Sequence, residues 1–406
     1  MQVIAGMNLA AASAQIWCWA EMKFTYIEGV PDNASTPTCS PPRVWAEINL
    51  ANLEHNVGVA AQYQRGEIMA VLKANAYGHG MKQVAKALEN LPGDNTPAFF
   101  GVASVIEARG LADGDIQTRI YLLGPSCPFE REEIVTCGWT PCISSMDEAR
   151  DFDRITAQLT LGKKLRVHLT VDTGMGRGGF LPNDLIRQMD ALSALTHLDI
   201  EGIGSHLPCA DEDEVFTRSQ FDQFDSLVEK LGIERFRYIH LANSAGILGY
   251  QSRHTNLHRP GLMLYGIAPI ATYQDELKPV LSLKSRVSLV RTLPAGQGIS
   301  YGRETVLEKD TRVATIGIGY GDGYPRSLPP LKTDVIIHGA RCPLLGRVTM
   351  DQIMVDVSDL PHCESGDEVE LFGEAILVSE LARLANTIPW AVFTGITPRV
   401  SRVYLR

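Results

Sequence analysis

The stretch Val71-Leu72-Lys73-Ala74-Asn75-Ala76-Tyr77-Gly78-His79-Gly80 places a lysine directly after a short apolar run. An amine at the mouth of a buried strand is partly desolvated, which disfavours the ammonium and leaves a nucleophile or a base. Such a group is suited to a Schiff base with a carbonyl, that of pyridoxal phosphate included. Tyr77, four residues on, carries a phenol that could reach a phosphate at the same mouth. Asp172-Thr173-Gly174-Met175-Gly176-Arg177-Gly178-Gly179 is a glycine-rich loop whose guanidinium could clamp a carboxylate through two bonds. Glu201-Gly202-Ile203-Gly204-Ser205-His206 ends another apolar run in an imidazole, and Asn243-Ser244 supplies the short polar groups and backbone N–H donors that hold phosphates. Each has a bland reading taken singly: a salt-bridged surface lysine, a solvated arginine, a satisfied core histidine, a helix cap. Their weight comes from where the elements put them.

From Arg43, a strand-like run (Val44 to Asn49) leads into a helical segment that Asn49 caps, with Leu50, Leu53 and Val57 on one stripe. Short apolar runs then follow at Ile68–Leu72, Phe99–Ala103, Ile120–Leu123, Pro141–Ile143, Val167–Val171, Ile200–Ile203, Tyr238–Leu241 and Leu262–Tyr265. Between most of them lie stretches of helical period, such as Gly80–Asn90, Asp147–Leu159 and Phe216–Leu231. Eight such strands alternating with helices predict a (β/α)8 barrel over residues 43–279, each strand apolar enough to be buried on both faces. The chemistry of such barrels sits at the C-terminal ends of the strands. Reading past each run gives Lys73, the Arg177 loop, His206, Asn243-Ser244 and the Arg259-Pro260-Gly261 turn before the last run. Beyond Pro279 the period changes to two, with Gly- and Pro-rich turns, and predicts an all-β domain over 280–406.

The 406 residues carry 37 Lys plus Arg against 47 Asp plus Glu, a net charge of -10, which argues against a global nucleic-acid binder. No run of about 18 apolar residues suggests a membrane span. The eight cysteines are scattered without a C-x-x-C pair, the pattern of reduced cytoplasmic thiols rather than of a disulfide framework or zinc site. Residues 1–42 read as a disordered leader: Ala12-Ser13-Ala14 is a small-residue triplet of the kind signal peptidase cuts, but no basic residue precedes Lys23.

The stretch around Lys73 resembles the signature of the alanine racemases, and the resemblance runs in order from about Arg43 to Arg406. It implies a homodimeric pyridoxal-phosphate enzyme, a barrel plus a C-terminal β domain, that interconverts L- and D-alanine for the bacterial cell wall. It puts the cofactor on Lys73 and the phosphate on Tyr77, Asn243, Ser244 and the backbone of Gly261 and Leu262. Arg259 then meets the pyridine nitrogen, with His206 between it and the second catalytic group. An arginine cannot hand over its proton, so the ring stays uncharged, a weaker electron sink with fewer side reactions. Racemisation needs an acid–base group on each face of the α-carbon. Lys73 supplies one; the resemblance puts the other on Tyr301 of a partner subunit. A phenol needs a nearby cation to act as a base at neutral pH, for which the His206–Arg259 pair is the candidate. Arg177 and the Met350 backbone are expected on the substrate carboxylate, with Tyr320, Asp211 and Arg326 along the entrance. Two departures stand out. Thr170 occupies the place of a lysine that many members carbamylate to steer this arginine, and Pro398 replaces a phosphate-contacting tyrosine of some relatives. A racemase with another small substrate such as serine, a cofactor-binding protein without catalysis, and a barrel decarboxylase are the rival readings; the β domain bearing Tyr301 and Met350 counts against the second.

Overall fold

The computed structural model describes residues 27–28, 41–160 and 162–406. Most of the expected leader therefore lies outside the described residues, although Ile27 and Glu28 pair antiparallel with Val403 and Arg402.

Two sheets organise the chain. The first is a parallel barrel of β2 (Glu67–Val71), β3 (Phe99–Val102), β4 (Arg119–Leu122), β5 (Thr140–Ile143), β6 (Leu165–Thr170), β7 (Leu198–Gly204), β8 (Tyr238–His240) and β9 (Leu257–His258). Strand β9 lies beside β2, with Leu257 opposite Glu67. The Asn256 N–H donates to Ile239 O at 2.9 Å and closes the ring against β8. Met69, Phe99, Tyr121, Cys142, Tyr238 and Leu257 pack together inside the barrel. The helices between the strands start at capping residues: Ser104 Oγ accepts from the Glu107 N–H, Ser145 Oγ from Glu148, Asp213 Oδ1 from Phe216 and Asn49 Oδ1 from Asn52.

One strand expectation is corrected. Leu262–Tyr265 is a single 3-10 turn with all four residues buried, and the eighth strand is Leu257–His258, before it. Pro260 has no N–H for a ladder, and Gly261 turns the chain (φ -121°, ψ -88°). A short apolar run buried on all sides suits either element. Arg259 therefore emerges from the C-terminal end of the last strand instead of preceding it.

The second sheet has nine strands. Its spine is β10 (Leu281–Leu293). Onto it fold β11 (Thr311–Ile316), β14 (Ile353–Asp356), β13 (Ala340–Leu345), β12 (Asp334–Ile337) and β15 (Glu368–Phe372), and β15 returns to pair with β10. On the other side of β10 lie β1 (Val44–Asn49) and β16 (Ser401–Leu405). Strand β1, which the sequence reading placed in the barrel unit 43–279, thus belongs to this sheet. Two short helices, Val378–Leu384 and Pro389–Gly395, accompany the strands. Among the described residues no helix is long and apolar enough to cross a membrane.

Candidate active site

A cavity of about 730 Å³ opens at the C-terminal ends of the barrel strands. It gathers Lys73, Tyr77, Arg177, His206, Asn243, Ser244, Arg259, Gly261 and Leu262, together with Asp211.

Lys73 follows β2 and is half-buried. Burial, followed by the positive charges of Arg177 and Arg259, lowers its pKa, while Glu107 pulls the other way. The segment after it is unusual. Ala74, Asn75, Ala76 and Tyr77 all have φ between 51° and 54°, a left-handed turn of four non-glycine residues. Each costs roughly 1–2 kcal/mol for an L-residue. Hydrogen bonds offset the strain: Ala76 N–H to Leu72 O (2.7 Å), Gly78 N–H to Ala74 O (2.9 Å) and Gly80 N–H to Asn75 O (3.0 Å). Glu107 Oε1 takes the Ala74 N–H at 2.7 Å, and Asn75 Oδ1 takes the Met81 N–H at 2.8 Å. The second sheet grips the turn from outside, with Arg402 Nε on Gly78 O (3.2 Å) and the Tyr404 hydroxyl on His79 O (3.2 Å). The left-handed turn carries Tyr77 into the cavity, tilted against Tyr265 with ring centres 4.8 Å apart. Burial pushes the Tyr77 phenol up to about 12, so it is a donor at neutral pH.

Opposite Tyr77 is a cradle of small groups. A Cβ on Gly261 would come within 2.8 Å of the Tyr77 hydroxyl, so only glycine fits. Ser244 Oγ accepts from the Gly261 N–H (3.0 Å) and the Met263 N–H (3.2 Å), while Asn243 Oδ1 caps the following helix at Gly246. Phenol, hydroxyl and clustered N–H donors fit a phosphate, and the neighbouring lysine fits the aldehyde of pyridoxal phosphate.

Arg259 is buried at the cavity floor. It donates to His240 Nδ1, to Ser205 O (2.5 Å) and to Leu241 O (3.1 Å), and its Nη2 lies 3.4 Å from His206 Nδ1. Burial lowers it to about 10, still a cation at neutral pH. Burial and then Arg259 push His206 down to about 3. The charge of the His206–Arg259 pair therefore resides on the arginine.

The Arg177 loop is shaped by Asp172, whose Oδ1 accepts from the Gly174 N–H (2.9 Å) and the Gly176 N–H (3.1 Å). Gln220 Nε2 holds Thr173 O at 3.2 Å. Thr170 lines the same cavity, its hydroxyl toward Tyr121 and Cys142. Arg177 itself is exposed.

Tyr301, Tyr320 and Met350 are not in this cavity. All three sit on loops of the second sheet and face outward, Tyr301 being 70% exposed and Met350 51%. Ser300 (φ 60°) and Gly302 (φ 77°) flank Tyr301 in a tight turn, and Ser300 Oγ is held by Arg347 O at 2.7 Å. Gly319 lets its strand approach Thr349 and Met350: Tyr320 N–H donates to Thr349 O (3.0 Å) and Gly321 N–H to Met350 O (2.9 Å). The buried carboxylate of Asp322 ties these loops to Arg399, which also holds Asp351 at 2.8 Å. Arg399 follows the divergent Pro398.

Sequence reasoning missed His240, His168, Tyr121 and Tyr265 as parts of the site. A histidine within an otherwise apolar buried strand, as in Val167-His168-Leu169, was the available signal. Among the described residues no cluster of three or more His, Cys, Asp or Glu is placed to hold a metal ion.

Comparison with known proteins agrees with this geometry. The family model described as alanine racemase, N-terminal domain, matches residues 48–269, and that of the C-terminal domain matches 280–404. An alanine racemase of Methylacidiphilum infernorum is 37% identical over 383 residues, spanning 91% of this chain and 95% of its own. A solved alanine racemase from Clostridium difficile 630 superposes with a TM-score of 0.84 at 33% identity, over 90% of this chain and 97% of that one. One from Bartonella henselae, described with covalently bound pyridoxal phosphate, gives 0.81 at 29% identity over 90% of this chain and 100% of that one. With both halves of the chain matched and the lysine, the phosphate cradle and the floor arginine gathered at one barrel mouth, the chain belongs to the alanine racemase family.

Proposed function

We propose that the chain is a pyridoxal-phosphate-dependent racemase interconverting L- and D-alanine, acting in the cytoplasm as a homodimer that supplies D-alanine to peptidoglycan. The carrying observation is Lys73, an amine of lowered pKa beside a cradle that only Gly261 can leave open. We take 43–279 as the barrel unit and 280–406 as the β unit, with β1 crossing between them.

Pyridoxal phosphate, when bound, would supply an electron sink that acidifies the Cα–H of the amino acid substrate. The protein does the rest. Tyr77, Ser244, Asn243, Gly261 and Leu262 hold the phosphate. Arg259, which cannot give up its proton, would face the ring nitrogen. Arg177 would orient the substrate carboxylate, and because Met350 and Tyr320 lie outside this chain's own cavity, the backbone of the partner's Met350 would assist it, with the partner's Tyr320 lining the way in. Lys73 Nζ exchanges the α-proton on one face and the phenol of the partner's Tyr301 on the other, so a proton lost to one group is replaced from the other.

The test mixes two inactive variants, Lys73→Ala and Tyr301→Phe, after co-refolding or co-expression. Mixed dimers carry one intact site, so alanine racemisation returns. If no activity returns although mixed dimers form, the shared site is wrong. Turnover of serine beside alanine tests the substrate.

A further inference from the structure

Beneath the cavity floor a line of polar groups runs down the barrel interior. Arg259 donates to His240 Nδ1; His240 Nε2 lies 2.9 Å from His168 Nδ1; His168 Nε2 lies 3.5 Å from Glu201 Oε1; and Glu201 is ion-paired with Arg119. Both imidazoles are fully buried among aromatic rings. The fold makes room for them on one strand. A Cβ on Gly202 would meet the His168 ring at 2.6 Å, and one on Gly204 the His240 ring at 2.1 Å. Glu201, Gly202 and Gly204 are thus one device: β7 omits two side chains so that its neighbours' imidazoles meet above a carboxylate.

The proton positions follow from the ends. A guanidinium only donates, so His240 Nδ1 must accept and its proton sits on Nε2. That proton points at His168 Nδ1, which must also accept, leaving the His168 proton on Nε2 toward an ionised Glu201. Each assignment forces the next, and the line has one allowed direction. We propose that His168 and Glu201 are positioning residues which, through the tautomer of His240, fix the guanidinium of Arg259 against the group bound above it. Burial keeps His168 and His240 neutral, as the line requires. Glu201 stays ionised although burial opposes it, because His168 3.5 Å away and the Arg119 guanidinium bonded to it hold its carboxyl at about 2. The inference about Arg259's ligand rests on the proposed cofactor; the proton order does not.

The decisive measurement is nitrogen NMR of the full chain labelled at histidine, assigned by His168→Asn and His240→Asn. Both rings should show the Nε2–H tautomer and stay neutral from about pH 6 to pH 9. A proton on Nδ1 of either ring, or a titration in that window, overturns the proton order whatever the protein catalyses. The second measurement compares His168→Asn, whose side-chain oxygen can still accept from His240, with His168→Leu, which cannot. The leucine variant should bind pyridoxal 5′-phosphate at least tenfold more weakly and shift its visible band, with the asparagine variant near wild type. Equal effects in two folded variants mean that His168 only fills space.

Discussion

The barrel mouth and the loops of the second sheet present their side chains in opposite states. At the mouth the groups are sunk in a cavity, and burial moves their proton affinities: Lys73 and His206 down, Tyr77 up. On the loops, Tyr301 and Met350 project into solvent. The proposed shared site rests on this difference: within one copy, Tyr301 does not line the cavity that holds Lys73.

The sharpest way to break that contrast is Lys73→Ala, which should cut alanine racemisation by about 10³-fold or more and abolish the visible absorbance of the loaded protein. Retained absorbance would empty the cavity of its meaning. Tyr301→Phe should cost about 10²–10⁴-fold while leaving that absorbance in place. In heavy water it should slow α-proton exchange from one enantiomer far more than from the other, and equal slowing would contradict a group on each face. Acid sharpens the contrast on the buried side alone. His79 and His206 have pKa values of about 3, below the unfolded 6.5, so between these values the unfolded chain binds protons the folded one refuses. Stability is whole above 6.5 and is lost as pH falls toward 3, by at most about 1.4 kcal/mol per pH unit for each group. Urea midpoints at pH 7 and pH 5 should differ, and His79→Phe should flatten the slope; a slope unchanged in that variant would assign it to other groups. A smaller loss, about 1–3 kcal/mol, is expected for Arg402→Met, which strips the carbonyls of Gly78, Ile396, Thr397 and Val400 of their donor. Thermal unfolding measures it, and an unchanged midpoint would mean that the second sheet does not brace the Lys73 turn.

The barrel was legible because a buried parallel sheet writes itself as short apolar runs, and Phe99–Val102 and Thr140–Ile143 are buried at every residue. The eighth strand was misread because Leu262–Tyr265 is equally apolar and equally buried, and only Pro260 and Gly261 betray that it turns. The left-handed turn at Ala74–Tyr77 was invisible: alanine and tyrosine do not advertise positive φ, and the bonds that enforce it come from Glu107, Arg402 and Tyr404, far away in sequence. The Lys73, Arg177, His206 and Arg259 positions were readable from strand ends and resemblance together. His240 and His168 were not, since their partnership depends on glycines of an adjacent strand. The place of β1 also escaped, because its partners come more than 200 residues later, Leu281 opposite Ile48.

That last pairing governs how the molecule can be made. Strand β1 is made long before its partners, yet it rests between β10 and β16, whose Leu405 pairs with Asn49. The second sheet is complete only once Ser401–Leu405 has been made, and until then one edge of β1 is uncovered. Such long-range closure is slow and leaves an unpaired strand available to neighbours. Trimming a handful of residues from the far end would therefore damage the beginning of the chain.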